Sequence, residues 1–278
     1  MKPVIFFHIP KTAGTSFHDI LGSLYSPERT FSVSGLHAWE KLQELKALPE
    51  KDLQRLELIK GHLVLTGDEI LGKGCIFLSF FREPIQRTIS AYHYIRRAPH
   101  NHYHEVVKKL HLRDFGDFLL DKKRDNLQTR SLVTPPEKIL FPEEREPLSE
   151  LKGYGSERAI SVVHQKIDHP LITEEFDRGL LYLARVLGWS HVPTPEVRNA
   201  SRSKDKKRIG RKTLAELEKV NELDLELYEK AKALFYSNLE EVWNERMEKE
   251  LLDLQKRKSI ATGSSRGLLE RLKRKLWS

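Results

Sequence analysis

The chain has 278 residues, 39% of them hydrophobic and 32% charged, with a formal net charge of +8. This composition indicates a globular protein with a heavily charged surface, long enough for one α/β domain and an appendage. The single cysteine, Cys75, excludes an intrachain disulfide and lies in an apolar run typical of an inert core thiol. The excess positive charge favours an anionic partner such as nucleotide phosphates, nucleic acid, an acidic glycan or lipid headgroups.

Strands are predicted at residues 3–8, 56–61 and 75–80, with a weaker candidate at 171–173. Helical patterns occupy 15–25, 37–48, 83–97, 174–189 and one long stretch at 223–257. Alternation of strands and helices predicts an α/β fold with a central parallel sheet flanked by helices, plus a C-terminal helical extension. The first strand begins by residue 3, and no apolar run approaches the roughly 20 residues that cross a bilayer. We therefore expect a cytoplasmic protein without a signal peptide.

The predicted organisation is an α/β core at 1–212, C-terminal helices packing on it at 213–262, and a basic amphipathic tail at 263–278. The proline-rich stretch 134–155 is typical of a surface loop, and 198–212 of a basic loop. The spacing of Thr213 and Glu216 predicts a capping box. The end of the tail, 266–278, suits either an anionic membrane surface or packing on protein, which is the commoner fate.

The stretch VIFFHIPKTAGTSFHDIL, residues 4–21, joins a buried strand to a helix through a short polar loop. Free backbone N–H groups at such a helix start attract anions, and Lys11, Thr15 and Ser16 add a positive charge and donors. The stretch is not the usual P-loop, because Lys11 precedes Gly14 instead of following a second glycine. By itself it is also compatible with an ordinary capped helix.

A second motif, LSFFREPIQRTISAY, follows the strand predicted at 75–80. Arg82 lies just past the strand, and Ser90 lies two turns into the helix that follows. An arginine at this place can grip a phosphate bidentately, with the serine as a second donor. Taken singly, each residue has an ordinary alternative: Arg82 pairing with Glu83, and Ser90 as a small helix residue.

Together the two motifs resemble those of carbohydrate-type sulfotransferases, especially the group related to heparan sulfate 2-O-sulfotransferase. The resemblance is clear over 3–135 and looser to about 200, and it implies a P-loop-like three-layer fold. It also implies the donor 3′-phosphoadenosine 5′-phosphosulfate (PAPS), the product 3′-phosphoadenosine 5′-phosphate (PAP) and no metal. Arg82 and Ser90 would bind the 3′-phosphate. The 5′-phosphosulfate would be held by Lys11, Thr12, Ala13, Gly14, Thr15 and Ser16.

The same resemblance points to His62, in a Gly-His step after the second predicted strand, as the general base. A neutral imidazole suits this task near pH 7. Glu40 and His8 are rival bases, and Lys11 would neutralise charge on the leaving group. Asn126 and Arg130 form a polar helix face that suits either the acceptor or ordinary solvent exposure.

The predicted function is sulfuryl transfer from PAPS to a hydroxyl of a carbohydrate, with a glycan or glycolipid as partner. The alternatives are a P-loop-type kinase that uses ATP and a basic module that binds nucleic acid. We do not expect a nucleic-acid partner, because the sequence has no recognisable nucleic-acid-binding motif. The alternating His100, His102 and His104 suggest a metal site only weakly, since no cysteine or acidic partner completes a familiar spacing. The basic residues Arg202, Lys204 and Arg208 fall where relatives close over the nucleotide.

Overall fold

A computed structural model describes residues 2–35, 37–139, 141–193 and 209–261 of the chain. In these ranges the strands are β1 Val4–Phe7, β2 Thr30–Val33, β3 Leu58–Gly61, β4 Ile76–Phe81 and β5 His169–Ile172. They form one parallel sheet with the strand order β2-β3-β1-β4-β5. Val4 in the central strand pairs with Leu58 on one side and with Ile76 on the other. The predicted α/β fold with a central parallel sheet is confirmed.

Each predicted strand is present, and β2 is an additional one. All four residues of β1 are buried, as expected of a strand covered on both faces. The sequence TFSV of β2 instead alternates polar and apolar residues, and only Val33 is fully buried. This edge strand lacks the continuous apolar run by which the buried strands were recognised.

The helices connect the strands and cover both faces of the sheet. Those in the first half of the described chain are α1 Gly14–Leu24, α2 Ala38–Lys46, α3 Glu50–Leu53, α4 Gly67–Leu71, α5 Pro84–Arg97, α6 His104–Val107, α7 Phe115–Asp121 and α8 Leu127–Val133. Those in the second half are α9 Pro136–Ile139, α10 Leu148–Leu151, α11 Gly155–Lys166, α12 Phe176–Val186, α13 Arg211–Lys219, α14 Glu222–Glu240 and α15 Glu245–Ala261. Short 3₁₀ turns lie at Pro27–Arg29, Leu112–Asp114, Pro142–Glu144 and Thr173–Glu175.

The helix α14 packs directly against β5, α8 and α11. Its Leu227, Ala231 and Phe235 are buried in the same hydrophobic cluster as β1 and β4. This helix of the predicted extension thus helps to build the main core.

Three local predictions are wrong. The long helix expected at 223–257 is two helices, because Asn244 Oδ1 accepts the Met247 N–H (3.1 Å) and starts α15 afresh. Helix α13 begins at Arg211, so Thr213 lies inside it and cannot form the expected capping box. The stretch 134–155 is partly helical, with α9 and α10 on either side of a 3₁₀ turn.

Across the described ranges, no helix combines the length and apolar character needed to span a membrane. The predicted closing residues Arg202, Lys204 and Arg208 and the tail 263–278 lie outside the described residues. The boundary predicted at residue 212 stays a prediction.

Candidate active site

Three loops meet at the carboxyl edge of the sheet, where β1, β3 and β4 are neighbours. After β1 the chain continues to β2, which lies on one side of β1 in the strand order, whereas after β4 it continues to β5 on the opposite side. Parallel α/β sheets bind ligands at such a switch in strand order. The loop after β1 carries Lys11, the loop after β3 carries His62, and the loop after β4 carries Arg82. The fold therefore brings the two predicted nucleotide motifs and the predicted base together.

The loop between β1 and α1 has an unusual backbone. Lys11 and Ala13 both adopt left-handed conformations, with φ of 72° and 67°. Between them Thr12 is buried, and its Oγ1 donates to the Ile9 carbonyl (2.7 Å). Ala13 occupies the N-cap position and makes no side-chain cap for α1. Such a turn followed by an open helix start directs backbone N–H groups at an anion.

Gly14 begins α1 against the imidazole of His8. A Cβ at this position would lie 1.8 Å from His8 Nε2, a distance that no side chain can occupy. The glycine is therefore required by the close approach of the histidine to the helix start. Of the two hydroxyl residues after it, Thr15 is exposed and Ser16 is half-buried.

Arg82 connects the second motif to the first. Its Nη1 donates to the Lys11 carbonyl (3.1 Å), and the Lys11 Nζ lies 4.2 Å from the centre of the Tyr94 ring. Burial, together with the positive charges of Arg82 and Arg97, lowers the pKa of Lys11. Burial also lowers the pKa of Arg82, whereas the carboxylates of Glu174 and Glu83 raise it. Lys11 and Arg82 thus lie close together, and a bound phosphate or sulfate would relieve the repulsion between them.

Ser90 is half-buried in α5, one turn before Tyr94. Residues four apart in a helix share a face. Since Tyr94 contacts Lys11, Ser90 lies on the side of α5 that faces the loop. This placement is compatible with its predicted role beside Arg82.

His62 is held in one orientation by its Nδ1, which lies 2.7 Å from the His8 carbonyl oxygen. Because a carbonyl only accepts, the proton is on Nδ1 and the lone pair is on Nε2. Burial lowers the pKa of His62, whereas this hydrogen bond raises it. The residue before His62 must be a glycine, because a Cβ on Gly61 would lie 1.8 Å from the Val33 carbonyl oxygen in the neighbouring strand β2. The geometry thus leaves a neutral imidazole that can accept a proton.

The imidazoles of His8 and His62 are stacked with ring centres 4.5 Å apart, and His8 Nδ1 lies 3.3 Å from His18 Nε2. Burial and these neighbouring imidazoles lower the pKa of His8. Burial, with Lys60 and His62, lowers the pKa of His18 to about 4. The sequence also offers His18, on the helix after the predicted sulfate loop, as a possible base, and its contact with His8 places it beside His62.

The rival base Glu40 lies on the exposed side of α2, with His37 Nδ1 3.9 Å from its carboxylate. Helix α2 follows β2, which is one strand further from β1 than the strand that carries His62. Of the two residues, His62 is therefore the nearer to the predicted sulfate loop.

The structure buries Asn126 and Arg130, which the sequence offers as an acceptor face or as ordinary surface polarity. Asn126 is 0% exposed and Arg130 is 1% exposed. Arg130 forms a buried ion pair with Asp125 (3.0 Å) and donates to the Glu146 carbonyl (2.9 Å). Asn126 Oδ1 accepts the Leu223 N–H (2.9 Å). Both side chains thus make structural contacts inside the protein, which accounts for the polarity of this helix face, and contact with the acceptor stays a prediction.

The alternating histidines do not converge on one point. His100 Nε2 lies 3.2 Å from the Tyr94 hydroxyl, and His104 Nδ1 lies 2.9 Å from the Ile95 carbonyl oxygen. In the part of the chain that is described, no cluster of three or more His, Cys, Asp or Glu could hold a metal ion.

A cavity of about 810 Å³ lies elsewhere, between the second half of α12 and α15. Tyr182 of α12 shows where this half of the helix lies along the strands, because its hydroxyl lies 2.7 Å from Nδ1 of His169, the first residue of β5. The cavity is therefore near the amino ends of the strands, away from the three loops.

The family model described as galactose-3-O-sulfotransferase matches residues 2–264. Among solved structures, the chain is similar to mouse sulfotransferase SULT7A1 complexed with PAP, with 12% sequence identity and a TM-score of 0.38. That match covers 98% of this chain and 88% of the mouse chain. No curated protein sequence matches this one.

Proposed function

We propose that this chain, which belongs to the galactose-3-O-sulfotransferase family, transfers a sulfuryl group from PAPS to a hydroxyl of a galactose-containing glycan or glycolipid. Membership in the family makes the chain a sulfotransferase. The donor follows from the two motifs, and the description of the family suggests galactose O3 as the first acceptor atom to test.

One observation carries the proposal, namely the hydrogen bond from Arg82 Nη1 to the Lys11 carbonyl (3.1 Å). It links the loop after β1 to the loop after β4 across the switch in strand order. A nucleotide with phosphate groups at both its 5′ and 3′ positions needs two such anion sites side by side. The start of α1 suits the 5′-phosphosulfate. The first N–H groups of α5 are capped by the Glu83 carboxylate, so the 3′-phosphate would be held by the side chains of Arg82 and Ser90.

Sulfuryl transfer resembles phosphoryl transfer, in which positioning and charge stabilisation supply most of the catalysis. The acceptor oxygen forms a bond to sulfur while the bond from sulfur to the bridging oxygen of the donor breaks. Negative charge then grows on the leaving phosphate. The Nζ of Lys11, which the loop before α1 carries and which lies over the Tyr94 ring, would neutralise this charge.

The acceptor hydroxyl must lose its proton as the new bond forms. Nε2 of His62 bears the free lone pair, because Nδ1 donates to the His8 carbonyl. A positioned general base of this kind contributes roughly 10²–10⁴-fold to the rate. His8 remains the rival base, since its ring is stacked on that of His62.

The other two functions are less well supported. The strand β4 is followed directly by Arg82, whereas a P-loop kinase needs a carboxylate that holds magnesium. The match to a sulfotransferase family likewise does not favour a nucleic-acid-binding module.

The donor site can be tested by calorimetric titration with PAP and with adenosine 5′-monophosphate, which lacks only the 3′-phosphate. We expect the wild type to prefer PAP, and we expect Arg82→Ala to lose that preference. Arg55→Ala is the matched control, since Arg55 is exposed before the amino end of β3. Equal binding of both nucleotides by the wild type would overturn the proposal.

The acceptor can be tested with a β-galactoside and its 3-deoxy analogue in the presence of PAPS. Sulfation of the first compound alone would support transfer to O3. Sulfation of both compounds would place the reaction at another hydroxyl.

A further inference from the structure

Gln128, in α8, makes two hydrogen bonds to the backbone of Arg82. The Arg82 N–H donates to Gln128 Oε1 (2.9 Å), and Gln128 Nε2 donates to the Arg82 carbonyl (2.9 Å). Gln128 is 0% exposed, so water does not compete for these bonds. One side chain therefore satisfies both backbone polar groups of the residue at which β4 ends.

The position of Gln128 is set in turn by reciprocal capping between α8 and α14. Asp224 of α14 accepts the N–H groups of Gln128 (3.0 Å) and Thr129 (2.7 Å) at the start of α8. Asn126, just before α8, accepts the N–H groups of Leu223 (2.9 Å) and Asp224 (3.2 Å) at the start of α14. Each helix thus caps the other, which holds α8 in a definite place.

These contacts determine where the guanidinium of Arg82 points. The backbone of Arg82 is held on both sides by Gln128, and its Nη1 is held by the Lys11 carbonyl. The next residue in this turn is held separately, since the Glu83 N–H donates to Glu174 Oε1 (3.1 Å), so the bonds to Gln128 are the ones that fix the backbone of Arg82 itself. A small displacement of a phosphate-binding arginine is costly, because bidentate recognition depends on its geometry.

We propose that Gln128 is a positioning residue for the 3′-phosphate of the nucleotide, acting through the backbone of Arg82. The inference rests on the proposed function, in which Arg82 binds that phosphate. Gln128 itself does not reach the ligand, since its amide is occupied by the Arg82 backbone. The C-terminal helix α14 takes part in this arrangement through Asp224.

The test is Gln128→Met, which keeps the length of the side chain and removes both hydrogen bonds. Calorimetry measures the affinities for PAP and for adenosine 5′-monophosphate. We expect the PAP affinity to fall about tenfold, with the affinity for the monophosphate unchanged. A purely structural role would lower both affinities together.

Two controls separate positioning from general damage. Ser131→Ala removes a hydrogen bond within the same helix, from Ser131 Oγ to the Leu127 carbonyl (2.6 Å), and leaves Arg82 untouched. Gln165→Met makes the same substitution at an exposed site on α11. We expect both controls to retain the preference for PAP. If Gln128→Met does not fold, Gln128→Asn keeps a polar amide and should show a smaller loss in the same direction.

The double variant Arg82→Ala/Gln128→Met provides the decisive comparison. If Gln128 acts through Arg82, the second substitution should add no further loss of PAP preference once the arginine is gone. An additive loss, or an unchanged preference in Gln128→Met and Gln128→Asn, would overturn the inference while leaving the donor site intact. A wild type without any preference for PAP would instead remove the proposed function.

Discussion

Asn126→Ala should destabilise the protein through two separate causes. The Oδ1 of Asn126 accepts the N–H groups of Leu223 and Asp224 at the start of α14, and the residue is completely buried. Its backbone is left-handed, with φ of 43°. Alanine removes the acceptor and must also adopt a conformation that suits asparagine or glycine.

The magnitude follows from these contacts. A buried donor left without a partner costs about 1–3 kcal/mol, and two donors are affected. The left-handed conformation costs alanine about 1–2 kcal/mol. We therefore expect Asn126→Ala to lose about 3–8 kcal/mol, a large share of the stability of an ordinary domain. Asn126→Gly should lose about 1 kcal/mol less, because glycine tolerates the backbone.

The assay is equilibrium unfolding in urea at pH 7.5, with Asn244→Ala as control. Asn244 caps α15 from an exposed position through one hydrogen bond, so its loss should cost only about 1 kcal/mol. A loss below 1 kcal/mol in Asn126→Ala, or a greater loss in Asn126→Gly, would refute the reasoning. Normal stability with a raised KM for the acceptor would restore the role predicted from the sequence.

His62→Ala should lower kcat by about 10²–10⁴-fold without changing PAP affinity, and a rate within tenfold of wild type would favour another base. Because burial lowers the pKa of His62, the acid limb of the wild-type profile of kcat against pH should lie below pH 6.5. Gly14→Ala should abolish PAP binding in calorimetry, since the new Cβ would collide with His8, whereas Gly22→Ala in the same helix meets nothing within 4 Å and should bind normally. The pKa of His18 falls from 6.5 to about 4 on folding, so the unfolded chain binds the proton more strongly, and stability should decrease as pH falls through this window. His18 accounts for about 2 kcal/mol of lost stability at pH 5. In urea unfolding, the free energy of unfolding of His18→Gln should therefore differ less between pH 7.5 and pH 5 than that of the wild type. An equal difference in both proteins would contradict the lowered pKa of His18.

The features that the sequence alone determined are those built from neighbouring residues. The run Val4–Phe7 is apolar throughout and therefore forms a strand buried on both faces. The helix start after it and the arginine at the end of β4 follow within a few residues of their strands. Parallel pairing then places the loops after β1, β3 and β4 at one edge of the sheet. The sequence therefore predicts that the site residues lie close together, whatever the order of the strands.

The features that only the tertiary structure decided depend on partners far along the chain. Asn126 and Arg130 read as a polar face, yet Asn126 binds the start of α14 about 97 positions later. The tautomer of His62 is set by His8 across 54 positions, and the backbone of Arg82 is held by Gln128 across 46. A polar side chain has the same sequence signal whether it meets water, a ligand or a buried backbone group. Only burial, where water cannot satisfy its hydrogen bonds, separates these roles.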